Sequence, residues 1–128
     1  MSDLAAVPIV GAAETARLLP YGDLVEALRA GHRRPPSDAR RLVYGPDGAA
    51  ETVLVLPAWE DRAALGVKLV TVFPDNPSAS LPSVQAVYVL FDGVHGSPVA
   101  IVDGTELTYR KTAASSALAS TYLSRRDA

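Results

Sequence analysis

The sequence predicts an α/β (α+β) domain, with a mixed, mostly antiparallel sheet of about five or six strands, two short N-terminal helices and one long C-terminal helix. Three observations carry that expectation. The apolar period is helix-like up to residue 30 and strand-like from residue 39 to about 102. A Pro46-Asp47-Gly48 turn separates two β-rich runs at hairpin spacing. Asp103, with Glu106 three residues on, opens a stretch to Leu123 that holds no proline and no further glycine after Gly104.

The elements follow in order. Val7–Val10 is a short apolar piece, and Ala12–Leu19 reads as a helix stopped by Pro20. Gly22–Ala30 places Leu24, Val25 and Leu28 on one stripe and is expected to end with Gly31 as its C′ residue. His32–Asp38 has no period and two prolines, and reads as a connecting loop. Arg40–Tyr44 and Glu51–Leu56 make the hairpin, closed by Pro57. Gly66–Phe73 and Val84–Phe91 are rich in β-branched residues and are joined by a polar loop beginning Pro74-Asp75-Asn76-Pro77. After an Asp92–Gly96 turn, Pro98–Val102 forms the last strand, and the helix runs over Thr105–Leu123.

Composition narrows the function. The chain has 128 residues, enough for one domain, and 48% of them are apolar, enough to build a core. Twelve Lys and Arg face fourteen Asp and Glu, which excludes the strong positive field of a nucleic-acid binder. With no cysteine, disulfide scaffolds, thiolate nucleophiles and Cys-based metal sites are excluded. The longest apolar runs, Val53–Trp59 and Ala86–Phe91, fall short of the ~18 residues a membrane helix needs. Met1-Ser2-Asp3-Leu4 has the wrong charge order for a secretory leader, so a soluble chain with the cytoplasm as default is expected. His32 and His95 stand apart with no metal-ligand spacing, and no metal site is expected. Ser115 and Ser116 lie mid-helix without a neighbouring histidine. Neither Gly45–Gly48 nor Gly93–Gly96 extends to a dinucleotide or P-loop fingerprint.

Basic residues in apolar company are what remain. Lys68 shares a strand face with Val70 and Val72, so it either snorkels into water from the strand's start or serves an anion. Lys111 stands on a helical stripe with Leu107, Ala114 and Leu118, while Arg110 lies one position round, beside Ala114 and Ala117. The period leaves open which of the two points inward, or whether both are simply solvated. Arg40 and Arg41 face opposite sides of the first hairpin strand, where a charge also serves to protect an edge. Converging on one pocket, such cations would clamp a carboxylate, arginine through paired donors and lysine as a point charge.

The blocks Leu56-Pro57-Ala58-Trp59, LGVKLVTVFPDNP (65–77), LPSVQAVYVLFD (81–92) and DGTELTYRKTAASSALASTYLSRRDA (103–128) resemble the ornithine cyclodeaminase/mu-crystallin family. Members are NAD- or NADP-linked enzymes acting on small α-amino or α-imino acids. The resemblance implies that residues 1–128 are a substrate-binding and dimerisation domain whose sheet pairs with that of a second copy. It implies that Arg40 (or Arg41), Lys68 and Lys111 hold the substrate carboxylate, and that Thr112 and Gln85 lie towards the nicotinamide.

Three departures refine the expectation. Where the family usually has Arg before Thr-Ala-Ala, this chain has Lys111 preceded by Arg110, so the clamp is expected to be shared between them. Where cyclodeaminases carry an acid, Thr52–Leu56 is without charge, which favours the ketimine reductase or amino acid dehydrogenase branch over ornithine cyclodeaminase. Asp127-Ala128 falls where the family's Rossmann domain, with most of the cofactor contacts and a proton-transferring aspartate, is expected to begin. The expected role is thus the substrate-holding half of a cyclic imino acid reductase or amino acid dehydrogenase, inactive alone. A stand-alone, non-enzymatic binding or dimerisation domain is the alternative from another class.

Overall fold

A computed structural model describes residues 3–35 and 40–127. Nine regular elements follow one another: β1 (Ile9–Val10), α1 (Ala12–Leu18), α2 (Tyr21–His32), β2 (Leu42–Tyr44), β3 (Thr52–Glu60), β4 (Ala64–Val72), β5 (Val84–Asp92), β6 (Pro98–Asp103) and α3 (Gly104–Leu123), with short 3₁₀ turns at Leu4–Ala6 and Asn76–Ala79. The strands form one six-stranded sheet in the order β1-β6-β5-β4-β3-β2. Among the described residues only the β1–β6 pair is parallel, and the other four pairs are antiparallel. The expected architecture is the one observed.

Several boundaries differ for identifiable reasons. The apolar piece Val7–Val10 supplies the sixth strand, because Ile9 and Val10 find Ile101 and Val102 beside them. Gly31 is not a C′ residue: α2 continues through it to His32, and Arg33, in the right-handed helical region, forms the cap. The first hairpin strand starts at Leu42, so Arg40 and Arg41 precede it. Pro57 does not close β3. It lies opposite Val67 inside the strand, and β2 reaches only Val53–Val55, so at Pro57 one side of β3 is a free edge where a missing N–H is tolerated. Of the loop read over His32–Asp38, residues 36–38 lie outside the described residues.

The start of α3 fixes the helix on the sheet. The Asp103 carboxylate accepts the Glu106 amide at 2.8 Å, the expected N-cap. At Gly104 an added Cβ would overlap the backbone of Ala86 and Val87, so the helix enters in direct contact with β5. Small residues continue that close approach. Ala114 and Leu118 of α3 are buried along with Val70 of β4, and α1 and α2 pack against α3, where Thr15 is fully enclosed.

Strand registers define two faces with separate surroundings. Leu56, Lys68, Tyr88 and Val102 form one row across β3 to β6, on the face that α3 covers. Leu42, Val55, Leu69 and Val87 form a row on the other face, where Leu42, Leu69 and Val87 are exposed. No helix among the described residues is long and apolar enough to cross a membrane.

Candidate functional site

Beneath the first turns of α3 the sheet leaves a cleft of about 600 Å³. Its floor is the row Leu56–Lys68–Tyr88, set in place by strand register. Its roof is the α3 quartet Leu107, Thr108, Lys111 and Thr112, which helical spacing puts on one side of the helix. Arg40 and Arg41 enter from the segment before β2. The lining thus contains four cations and no carboxylate.

Lys68 is the innermost of these. Its Nζ donates to Thr108 Oγ1 at 3.3 Å, and Thr108 spends its own proton on the Gly104 carbonyl at 2.6 Å, which leaves its oxygen free to accept. Partial burial lowers the Lys68 pKa below the ordinary lysine value of 10.5, and the positive charge of Lys111 lowers it further. No acidic side chain among the described residues pairs with Lys68, Lys111, Arg40 or Arg41. Elsewhere the protein does pair its cations: Arg17 with Glu14, Arg29 with Glu26, Arg34 with Glu60 and Arg110 with Glu106. Four cations with no acidic partner among the described residues border this one recess, which makes a field suited to an anion.

Arg110 does not join the cleft. One residue before Lys111, it is turned by about 100° round α3, away from the cleft. There its Nε donates to Glu106 at 2.9 Å and its Nη1 to the Leu19 carbonyl at 2.9 Å, with the guanidinium 4.4 Å from the centre of the Tyr21 ring. Leu19 caps α1 just before Pro20, so this arginine clasps the α1–α2 corner onto α3. Of the two residues expected to share the clamp, Lys111 lines the cleft and Arg110 does not. Gln85 is also placed elsewhere. It sits opposite Thr71 on the uncovered face, three residues from Tyr88 and therefore on the other side of the sheet from Lys68. Of the two residues expected near a nicotinamide, Thr112 alone borders the cleft.

Two further residues of the site, Thr108 and Tyr88, are singled out by no motif of the sequence. Thr108 is three residues before Lys111 and four after Gly104, the spacing that lets it reach both a helix carbonyl and the sheet below. Tyr88 reads locally as part of an apolar run. Strand alternation from Lys68 through the β4–β5 register would have exposed it as a polar group beside the lysine.

Residues 14–128 match the family model described as "Ornithine cyclodeaminase/mu-crystallin family". The chain belongs to this family. Among its relatives, the Delta(1)-pyrroline-2-carboxylate reductase of Paracoccus denitrificans is 39% identical over 109 residues, covering 85% of this chain and 34% of the relative. The iminosuccinate reductase of Paracoccus denitrificans, solved with NAD+, superposes with a TM-score of 0.81 at 26% identity, over 94% of this chain and 39% of that one. The Thermococcus litoralis Delta(1)-pyrroline-2-carboxylate reductase, solved with NADH and L-proline, gives 0.78 at 28% identity, over 94% and 39%. The chain therefore spans between a third and two-fifths of the length of these family members.

Proposed function

We propose that this chain is the carboxylate-holding part of a nicotinamide-dependent reductase of cyclic imino acids, or of a dehydrogenase of small amino acids. The observation that carries the reading is the cleft with four cations and no acid, in which Lys68 is half-buried without a negative partner among the described residues. Relatives that act on a cyclic imino acid, and one solved with L-proline bound, agree with a ligand of this size and charge. The uncharged stretch Thr52–Leu56 beside the cleft favours this branch over ornithine cyclodeaminase.

In this reading Lys68 and Lys111, from floor and roof, grip the carboxylate, and Arg40 and Arg41 close the open side. Thr108 steadies the Lys68 ammonium, so the acid arrives at a cation already positioned. Fixing the carboxylate between two elements orients the adjoining α-carbon, which is how a binding half contributes to rate. The residues of this chain do not compose a dinucleotide site of their own: no glycine-rich phosphate loop occurs in the sequence, and Gln85 faces away. NAD or NADP is assigned mainly to residues outside this chain, and no transfer step is derived for the residues within it.

A homodimer is part of the same proposal. The row Leu42–Val55–Leu69–Val87 gives the uncovered sheet face an apolar stretch across β2 to β5, ending at Asp103 of β6, and such a stretch has the character of a surface that packs against its own copy.

Calorimetric titration of the chain with L-proline and with L-prolinamide tests the carboxylate site. L-Proline is expected to bind and the amide, which lacks the negative charge, to bind at least about tenfold more weakly. Equal affinity for the two would remove the proposal's basis.

A further inference from the structure

Tyr88 is bound up with a glycine. It lies beside Lys68 in the register, yet its ring runs along β4 towards residue 66, where an added Cβ would overlap the phenol oxygen and its ring carbon. Only a glycine at position 66 leaves room for that ring, and Gly66 is itself buried. The ring is therefore seated, with its place set by the backbone beneath it. Burial raises the phenol pKa above 10.0, so the group stays neutral and keeps its proton through the ordinary pH range. Among the described residues its hydroxyl makes no side-chain hydrogen bond.

The seat lies on a boundary. On one side is the cation-lined cleft, and on the other a second hollow of about 640 Å³ bordered by Arg34, Glu60, Asp61 and Gly66. Tyr88 and Ala58 line both, and of the two only Tyr88 has the bulk to form a partition. The hollows also differ in charge, since the second carries the carboxylates of Glu60 and Asp61 while the first carries none.

We propose that Tyr88, seated on Gly66, is the residue that sets substrate length: its phenol ring closes the end of the cleft, admitting short or ring-closed acids and refusing amino acids with a long extended side chain. The inference rests on the carboxylate reading above and adds a specificity to it. An acid gripped by Lys68 and Lys111 has its side chain directed along the cleft floor, and a chain longer than the cleft meets the ring. Removing the ring joins the two hollows and gives that chain somewhere to go. Partitions of this kind discriminate by roughly ten- to two-hundredfold when one or more methylene groups must be excluded.

The test uses the whole chain, with Kd measured by calorimetry for L-proline, L-norleucine and L-lysine. Wild-type protein is expected to bind L-proline at least about tenfold more tightly than either long acid. Tyr88→Val, which suits a strand, is expected to bring both long acids to within about threefold of L-proline, whereas Tyr88→Phe keeps the wild-type ratios because the ring remains. Unchanged ratios in Tyr88→Val overturn the inference, and so does a gain by L-lysine with none by L-norleucine, because lifting a length limit must serve the uncharged chain as well. Should Tyr88→Val fail to melt cooperatively, Gly66→Ala decides. Its methyl group is expected to push the ring into the cleft and weaken L-proline at least about tenfold, and wild-type affinity in Gly66→Ala overturns the inference. If wild-type protein binds none of the three acids, the carboxylate reading itself fails, a result distinct from binding without length selection.

Discussion

The two faces of the sheet are built from the same strands and much the same β-branched and aliphatic residues, yet they hold charge in opposite ways. On the face under α3, Lys68 stands in the middle of the sheet with a helix above it, and three further cations gather round it. On the other face, one residue along each strand, Leu42, Leu69 and Val87 stand uncovered, and the row stays apolar from β2 to β5 before it ends at Asp103, whose carboxylate caps α3. A charge that is partly desolvated costs free energy, and an apolar row exposed to water also costs free energy. In the proposed reading the covered face takes a small anion and the bare face a second copy of the chain.

Substituting Lys68 sharpens that contrast most. Lys68→Met is expected to weaken L-proline by roughly 30-fold or more, about 2 kcal/mol, in calorimetric titration, since one partner of a desolvated charge pair is lost. The same variant is expected to melt no lower than wild type, because the lysine it replaces has no negative partner among the described residues and a pKa lowered by burial. A large fall in both quantities would make Lys68 a structural residue.

Next in size is the bare face. Leu69→Lys places an ammonium opposite Val87 in the centre of the apolar row, and sedimentation equilibrium is expected to show self-association weakened at least about tenfold, with L-proline affinity unchanged. A wild-type chain that is monomeric at high concentration would break the comparison from this side.

Arg110 gives a smaller effect of the reverse kind. Arg110→Ala removes the clasp on Leu19 and Tyr21 and is expected to cost about 1–3 kcal/mol of stability in denaturant unfolding. Binding should stay within about twofold of wild type, because the side chain is engaged by Glu106, Leu19 and Tyr21 and does not line the cleft.

The smallest effect is on pH dependence. A carboxylate binds the charged form of Lys68, and that form is lost as pH rises through a pKa lying below 10.5. Affinity for cyclopentanecarboxylate, which has no amine to titrate, should be level through neutrality and fall on the alkaline side at a lower pH than an ordinary lysine would produce. In the unliganded protein the sign is opposite: the folded state disfavours the ammonium, so this group's penalty on stability is relieved as pH rises through the lowered pKa towards 10.5. Lys68→Arg should keep the neutral-pH binding and delay the alkaline fall.

Local signals sufficed for most of the fold. The Asp103 cap, the Pro46–Gly48 turn and the change of period at residue 39 each act within a few residues, and the elements they imply are present. What could not be read locally depended on neighbours distant in the chain. Pro57 looks like a strand end until β2 proves too short to cover that edge. Gly31 looks like a helix stop until the helix runs through it. At the site, the strand period singled out Lys68, but the choice between Arg110 and Lys111 required knowing that the α1–α2 corner offers Leu19 and Tyr21 to one side of α3. Gln85 was carried to the site by resemblance alone, and the β4–β5 register puts it on the bare face. Tyr88 needed the same register together with the glycine under its ring.

The convergence of these charges on one ligand is tested most directly by a crystal structure of the chain grown with L-proline. The expected result is a single L-proline with its carboxylate oxygens within about 4 Å of both Lys68 Nζ and Lys111 Nζ, the reach of an ion pair, and with its ring lying towards Tyr88. L-Proline bound elsewhere, or the four cationic tips turned outward with the cleft filled by water at saturating ligand, would contradict the account.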